Sequence, residues 1–225
     1  MTVVRNTVCK VDNFDRAQTF TTTPTGEFGW RIADTSSSGT PTYLIGNNRA
    51  ATLTLAATSE AENVCLYQGD VLPFLLNKIQ RVKFVASVSG VDAVTTITFG
   101  IGTARNDTED SVATNAWFRM EGSASTTAVV CETDDGVTDY DDKATGVSLS
   151  STLKEFVIDF SNGLADVRFY IDGVRVATST TFTLASATSS QSVQLLAQLA
   201  KASGTGTPAL VIKKVEITYN TADGA

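Results

Sequence analysis

The sequence predicts an all-β protein folded as a two-sheet antiparallel sandwich. Its 225 residues include 34 Thr, 19 Ser and 11 Phe, and 42% of them are hydrophobic. β-Branched and aromatic residues favour the pleated, half-buried surface of a sheet. Short alternating runs of apolar and polar residues recur between turn residues, whereas no long run has the period of a helix. Such a succession of short strands is typical of a sandwich.

The alternating runs predict the individual strands. From residue 52 onwards, apolar and polar residues alternate in runs that would each bury one face of a strand. These runs cover residues 52–55, 81–88, 95–101, 116–121, 128–132, 155–160, 192–200 and 209–219. In the last run the apolar residues change parity near Lys213 and Lys214, which predicts a β-bulge. Gly and Pro interrupt residues 1–45, so we expect short strands and loops there.

The segment ADVRFYIDGVRVAT at residues 165–178 predicts a tight hairpin, because Asp172-Gly173 lies between two alternating runs. A two-residue type I′ turn requires positive φ at both positions, which Asp and Gly tolerate. In this register four residues would share the face toward the core: Phe169, Ile171, Val174 and Val176. Asn162-Gly163 predicts a second tight turn upstream and completes a three-stranded meander.

The charge balance and the absence of histidine exclude several classes of function. Lys and Arg number 17 and Asp and Glu number 24, which gives a net charge of −7. No stretch clusters basic residues, so nucleic acid and anionic membranes are not expected as partners. Because the chain has no histidine, it lacks Ser-His-Asp and Cys-His catalysis and imidazole metal ligands.

The cysteines and the first residues indicate folding in a reducing compartment. Cys9, Cys65 and Cys131 are odd in number, widely spaced and without a CxxC pair, so we expect three reduced, mostly buried thiols. The first ten residues contain Arg5 and Lys10 but no apolar block between them, so no secretory signal is expected. The longest uncharged run, residues 176–200, is rich in hydroxyl groups and does not predict a membrane span.

Four segments carry a resemblance to a known family. They are WFRMEG at residues 117–122, ETDDGVTDYDDKATGVSL at 132–149, VRFYIDGVRVATSTTF at 167–182 and QLAKASGTGTPALVIKKVEITY at 198–219. The pattern resembles concanavalin A-like (laminin G-like) jelly-roll proteins found among the structural proteins of tailed-bacteriophage virions. It implies a single concanavalin A-like jelly-roll sandwich over residues 16–225, with residues 1–15 as an extended N-terminal arm. The fold also hosts lectins and glycanases, so it does not fix the role.

A comparison with glycanases of this sandwich class argues against catalysis. Such enzymes carry an E-x-D-x-(x)-E array on one strand, whose carboxylates share a face and act as nucleophile and acid. Here the only E-x-D is Glu132-Thr133-Asp134, and Asp135-Gly136-Val137 follows where the second acid should be. We therefore expect a protein that is not an enzyme.

An acidic segment at residues 132–142 is a candidate calcium site. Calcium prefers about six to eight oxygen ligands from carboxylates and loop carbonyls, and Asp134, Asp135, Asp139 and Asp141 are the candidate ligands. The spacing of a helix-loop-helix calcium site is absent. The favoured interpretation is a solvated turn region with Lys143 as partial counter-charge, so no metal and no cofactor are expected.

Four aromatic residues are candidates for a platform that would stack on a sugar: Trp30, Trp117, Phe118 and Tyr170. Strand alternation places at most one of Trp117 and Phe118 outward. Packing in the core or between the sheets is therefore the favoured interpretation for this set.

The resemblance and the missing catalytic array together lead to two functional hypotheses. The first is a non-enzymatic virion protein that decorates or cements a phage capsid, bridging subunits of the major capsid protein as a homo-oligomer, with a trimer matching local threefold positions. It would be made in the host cytoplasm and would lie on the capsid surface of the virion. The alternative is a glycan-binding module of a tail fibre or spike that recognises a host surface polysaccharide.

Overall fold

The computed structural model describes residues 7–16, 18–19, 22–23, 28–46, 49–188 and 190–221. This part of the chain is almost entirely β-structure, with short 3₁₀ turns at Leu76–Lys78 and Glu109–Ser111. The strands are β1 (Thr7–Asp12), β2 (Gln18–Thr19), β3 (Arg31–Asp34), β4 (Thr42–Gly46), β5 (Ala50–Thr54), β6 (Glu62–Tyr67), β7 (Phe74–Leu75), β8 (Ile79–Ser89), β9 (Thr95–Gly102), β10 (Asn115–Glu121), β11 (Ala128–Asp134), β12 (Asp139–Ser148), β13 (Lys154–Asp159), β14 (Arg168–Ile171), β15 (Val174–Arg175), β16 (Ser192–Lys201) and β17 (Ala209–Asn220).

Two antiparallel sheets contain these strands, which confirms the predicted all-β sandwich. The nine-stranded sheet has the order β15-β14-β13-β8-β17-β5-β4-β2, and β1 also pairs with β17. The eight-stranded sheet has the order β12-β11-β10-β9-β16-β6-β3, and β7 also pairs with β16. Every predicted run coincides with a strand to within one or two residues at its ends, whereas β6, the two-residue β7 and the acidic strand β12 were not predicted. No helix among the described residues is long and apolar enough to cross a membrane.

Interlocking phenylalanine rings fill the space between the sheets. Phe99 and Phe118 come from the eight-stranded sheet, and Phe84, Phe156 and Phe169 come from the nine-stranded sheet. The ring centroids of Phe99 and Phe156 are 4.9 Å apart, and those of Phe118 and Phe169 are 5.2 Å apart, both edge to face. Each of these rings is at most 1% exposed. Aromatic pairs in this arrangement stabilise a core beyond the area they bury, so these contacts join the two sheets.

The three cysteines are free, as the sequence predicted. Cys65 and Cys131 are buried, and Cys9 is exposed. Burial raises the pKa of the Cys65 and Cys131 thiols.

The N-terminal segment pairs with the other end of the chain. Thr7–Asp12 runs antiparallel to β17, from Thr7 opposite Asn220 to Asp12 opposite Val215. Residues 1–6 of the expected extended arm lie outside the described residues. Further along β17, the register shifts between Ile212 and Lys214, so the predicted bulge is confirmed.

The predicted hairpin is present, with one correction. Tyr170 pairs with Arg175 and Ile171 pairs with Val174, while φ is +50° at Asp172 and +78° at Gly173. Val174, however, is 67% exposed instead of buried. The reason is that β15 is the edge strand of its sheet, so no further strand covers this side chain.

The second predicted tight turn is also corrected. Asn162-Gly163 does not join two strands directly, because β13 ends at Asp159 and β14 begins at Arg168. The connection is a longer loop in which Gly163 donates a hydrogen bond to the carbonyl of Phe160. The meander of β13, β14 and β15 is nevertheless formed, since these three strands are adjacent in the sheet.

Replacing Gly173 with valine should destabilise the protein by about 1 to 2 kcal/mol, because a β-branched residue is strained at positive φ. A Cβ at this position would meet no atom within 4 Å, so the effect would report the backbone conformation alone. Chemical denaturation measures it, with Val174→Ala as the matched surface control. Equal unfolding free energies for Gly173→Val and the control would contradict the type I′ turn.

Candidate functional site

Glu132 of the E-x-D motif lies on the outer face of the eight-stranded sheet, directly opposite Trp117. On β10, Ala116 and Phe118 point to the core, so alternation turns Trp117 and Arg119 to the opposite face. Gly100 of β9 is the partner of Trp117 on its other side. A Cβ there would lie 2.3 Å from the carbonyl oxygen of Ala116, so glycine permits this close approach.

This outer face is covered by the loop of residues 103–114, which joins β9 to β10 and which we call the covering loop. Its Val112 packs with Trp117, Leu196 and Cys65 in a small apolar cluster, separate from the main core. Trp117 is fully buried as a result. The part of this outer face around Trp117 is therefore covered by the chain itself.

Polar contacts fasten the covering loop across the sheet. At one side, the Asp107 carboxylate accepts hydrogen bonds from Thr35 Oγ1 at 2.7 Å and from Asn63 Nδ2 at 3.3 Å. Near the middle, Gln198 Nε2 on β16 donates to the Glu109 carboxylate at 3.2 Å and to the carbonyl oxygen of Asn106 at 3.0 Å. The loop is thus bound to β6 and β16 as well as to the strands it connects.

At the other side of the face, one buried guanidinium faces several carboxylates. Arg119 Nη1 lies 2.9 Å from Asp110 of the covering loop, 3.4 Å from Glu132 and 3.6 Å from Asp142. Arg119 Nη2 lies 3.8 Å from Glu121. The Glu132 side chain is 2% exposed, whereas that of Asp110 is 59% exposed. We call these five side chains the Arg119 cluster; its carboxylates outnumber its cation.

Burial and this excess of acids shift the pKa values of the cluster. Burial raises the pKa of Glu132 to about 7, although the nearby Trp117 indole and Arg119 favour its ionised form. The Trp117 nitrogen makes no hydrogen bond of normal geometry. Burial also raises the pKa of Asp142, and the neighbouring acids add to that rise. For Arg119, burial opposes ionisation, but the surrounding carboxylates outweigh it and raise the pKa.

The Glu132 carboxylate is enclosed by protein partners. It accepts a hydrogen bond from Asn115 Nδ2 at 3.4 Å and is in contact with Arg119. Asn115 in turn donates to the carbonyl of Val112 in the covering loop. Asp134, on the same face, caps the next turn, where its carboxylate accepts from the Gly136 amide at 2.7 Å. Both acids of the motif therefore have structural partners.

The acidic segment forms two strands and the turn between them. Asp134 and Asp139 are partners across the β11–β12 ladder. Asp135 accepts hydrogen bonds from the amides of Val137, Thr138 and Ser186. Burial opposes ionisation of Asp135, but these amides outweigh it and lower its pKa.

The four candidate calcium ligands do not form one cluster of ligands. Burial, together with the hydrogen bond and charge of Asp141, raises the pKa of Asp139 to about 6. Across the described ranges, no group of three or more acidic or cysteine side chains has the arrangement of a metal site. The structure thus gives Asp135 a structural role as a turn cap.

The four candidate aromatic residues divide into two groups. Trp30, Trp117 and Phe118 are each at most 1% exposed and cannot form a platform. Tyr170 is half-buried and lies on the outer face of the nine-stranded sheet, where its strand neighbour Val157 is also found. The structure therefore retains one aromatic side chain of the predicted set at an accessible surface.

Tyr170 lines a surface groove with a volume of about 460 Å³. Its remaining lining combines the apolar Val157 with polar and charged groups: Gln80, Arg81, Glu155, Asp159, Ser161, Gly173 and Thr218. Arg81 is held 2.7 Å from Glu216, and Lys83 lies 2.8 Å from Glu155. We call this feature the Tyr170 groove; its volume is within the range of small-molecule sites.

Several residues of the covered face were not recognised from the sequence. Arg119 was seen only as part of a strand, and Gln194 and Gln198 only as members of an alternating run. Both glutamines are buried and share the parity of Leu196, which points to the covering loop. Because buried polar groups need hydrogen-bond partners, these two glutamines require polar groups above the sheet, and Asp70 and Glu109 are among them.

No protein-family model and no curated protein sequence matches the chain. Solved structures resemble it in fold. One of them comes from the endo-acting O-glycanases of the human gut microbiota. It has a TM-score of 0.63 and 8% identity, and the match covers 95% of this chain and 99% of that chain. The catalytic domain of an endo-1,3-beta-glucanase (laminarinase) from Thermotoga petrophila has a TM-score of 0.57 and 12% identity, covering 97% of this chain and all of that one.

A third similar structure is a carbohydrate recognition domain. That of Emp47p has a TM-score of 0.53 and 11% identity, covering 91% of this chain and 95% of that one. At these identities the similarity shows the fold alone, and it confirms the predicted concanavalin A-like jelly roll. The similar folds include both glycan-cleaving enzymes and carbohydrate recognition domains. The predicted relation to virion proteins stays a prediction.

Replacing Glu132 with glutamine should make the protein less sensitive to rising pH. Because the pKa of Glu132 is raised in the folded state, the folded state keeps a proton that the unfolded state loses. This stabilisation is complete below about pH 4.5 and is lost as pH rises toward 7. Relative to wild type, Glu132→Gln should therefore gain about 1 to 3 kcal/mol between pH 4.5 and pH 8.

Unfolding free energies from urea denaturation across this pH range measure the gain. The control is Glu121→Gln, which removes another carboxylate of the Arg119 cluster, but one that is 36% exposed. It should show a much smaller change with pH. If the two variants follow the same pH profile, the assignment of a buried, proton-retaining Glu132 is wrong.

Proposed function

We propose that this protein is a non-catalytic carbohydrate-binding module that binds glycan in the Tyr170 groove. The observation that carries the proposal is the composition of this groove, in which a half-buried tyrosine and a valine lie among hydrogen-bonding groups. A pyranose ring has the matching surfaces: apolar C–H faces that stack on an aromatic ring and hydroxyl groups around its edge. Aromatic floors with a few polar groups are typical of small-ligand sites.

The covered face supports a binding role over a catalytic one. Glycoside hydrolysis needs two carboxyl groups on either side of the scissile bond, with space between them for the sugar. Glu132 is instead packed against Asn115 and Arg119 beneath the covering loop. The similar carbohydrate recognition domain of Emp47p supports the use of this fold for binding.

The charges around the groove favour a neutral glycan. Its lining contains two carboxylates, Glu155 and Asp159, and one guanidinium, Arg81. Lys83 lies 2.8 Å from Glu155 and balances its charge, so the groove has no surplus cation that would attract an acidic sugar, in a chain whose net charge is −7. Carboxylates and Arg81 can instead accept from and donate to the hydroxyl groups of a neutral hexose chain.

Titration calorimetry with neutral and acidic oligosaccharides tests the proposal. Wild type should bind at least one neutral glycan with a dissociation constant of about 1 mM or lower. Tyr170→Ala should weaken this binding at least tenfold, because the stacking surface is lost, whereas Tyr170→Phe retains the ring and should bind nearly as well.

Tyr43→Ala is the matched control, since Tyr43 is a half-buried tyrosine on β4, near the opposite edge of the same sheet. It should bind like wild type. If no glycan binds, or if binding is unchanged in Tyr170→Ala, the proposal is wrong.

Capsid decoration is a second candidate function. Closure of the eight-stranded sheet by the covering loop favours it, because a broad polar surface suits protein–protein contacts better than a cleft does. The partner would be the major capsid protein, bridged by a homo-oligomer such as a trimer. In this case the protein should be present in purified virions at a molar ratio near that of the major capsid protein. A few copies per particle would instead favour the glycan-binding role on a tail fibre or spike.

A further inference from the structure

Lys201 at the end of β16 is surrounded by oxygen atoms. Its side chain and that of Glu62 are both 0% exposed. The Nζ atom lies 2.8 Å from the carbonyl oxygen of Thr58, 3.0 Å from that of Gly204 and 3.2 Å from that of Gly206, and it also contacts the carbonyl of Ala56. The Glu62 carboxylate lies 3.2 Å away. We call these five oxygen donors the oxygen cage.

The number of oxygens exceeds what hydrogen bonding to a lysine requires. An ammonium group has three N–H donors, whereas five oxygens surround Nζ here. Carbonyl oxygens that converge on one point are instead the surroundings of a bare monovalent cation, whose charge they solvate from all sides. The Lys201 ammonium thus lies among these five oxygens at the position that a coordinated cation would take.

One donor of the oxygen cage, the Glu62 carboxylate, is held in place by contacts that do not involve Lys201. Glu62 accepts a hydrogen bond from the Ala56 amide at 2.8 Å and from Thr58 Oγ1 at 3.3 Å, which fixes its carboxylate. Gly39 packs against the same carboxylate, because a Cβ there would lie 1.9 Å from Glu62 Oε1. These contacts do not involve the ammonium, so they can hold the carboxylate in place without it.

A cavity lies next to the cage. Lys201 and Glu62 line a cavity of about 340 Å³, together with Asn63, Thr96 and Ala200. Asp107 and Glu109 of the covering loop form part of its wall. Because the Lys201 and Glu62 side chains are 0% exposed, a small cation from this cavity could enter the cage only after the lysine side chain is removed.

We propose that the oxygen cage is a monovalent-cation site whose occupant is the chain's own Lys201 ammonium. The wild-type protein therefore needs no dissolved cation to connect the loop before β6 with the loop after β16. Once the lysine side chain is removed, the site accepts ammonium, potassium or a short alkylammonium ion. This inference does not depend on the proposed glycan binding.

Lys201→Ala tests the proposal, because it leaves the cage empty and makes room for a cation. In tetramethylammonium chloride, whose cation is too large for the cage, its Tm should fall by about 10 °C, as expected when a buried charge pair is broken. Ammonium, potassium or n-propylammonium chloride at equal ionic strength should restore at least half of this loss, with a saturable concentration dependence. Wild type should show no such difference among the salts.

Lys201→Met is the matched control, since its uncharged side chain has a similar length and fills the space. It should lose stability, and no cation should restore it. If Lys201→Ala is not folded after purification, refolding from urea in each salt replaces the melting experiment. Folding that recovers only with the small cations supports the site. Equal rescue of both variants, or no rescue of Lys201→Ala by any cation, overturns the proposal.

Discussion

The packing of the covering loop on the eight-stranded sheet determines the character of that face: Val112 buries Trp117, and Asp110 of the loop pairs with Arg119. Arg119 is also the cation nearest to Glu132, whose side chain is almost fully buried. Taking charges out of water is costly unless they are paired. With several carboxylates around one guanidinium, the folded protein reduces this cost by raising the pKa of Glu132, so that its proton is retained near neutral pH. Arg119 is therefore a counter-charge shared by Asp110 of the covering loop and by the buried Glu132.

The covering loop makes the two outer faces of the sandwich different. A jelly roll has two outer sheet faces, and here one of them is used to pack the chain's own loop around Trp117 and Leu196. The other face keeps Tyr170 accessible among polar groups. The same fold is present in glycan-cleaving domains and in carbohydrate recognition domains. In this chain, Glu132 and Asp134 of the covered face both have protein partners.

The strands could be predicted from sequence because their pattern is local. Alternation at Phe169 and Ile171 depends only on neighbours in the same strand, and the Asp172-Gly173 turn specifies its own backbone. The covering loop could not be predicted in this way, because its contacts join distant residues: Gln198 and Glu109 are 89 positions apart. The burial of Trp117 follows from that loop and not from its own strand. Val174 shows a related limit. Alternation predicts which side chains share a face of the strand, but it does not predict whether another element covers each of them, and Val174 is exposed.

The fluorescence of Trp117 tests the central claim, that the outer face of the eight-stranded sheet is closed by the covering loop. The chain has two tryptophans, so Trp30→Phe leaves Trp117 as the single reporter. Because Trp117 is fully buried beneath Val112, its emission should be blue-shifted, and acrylamide should quench it far less than it quenches the urea-unfolded variant. Emission at the wavelength of a solvated indole, with quenching equal to that of the unfolded chain, would contradict the account.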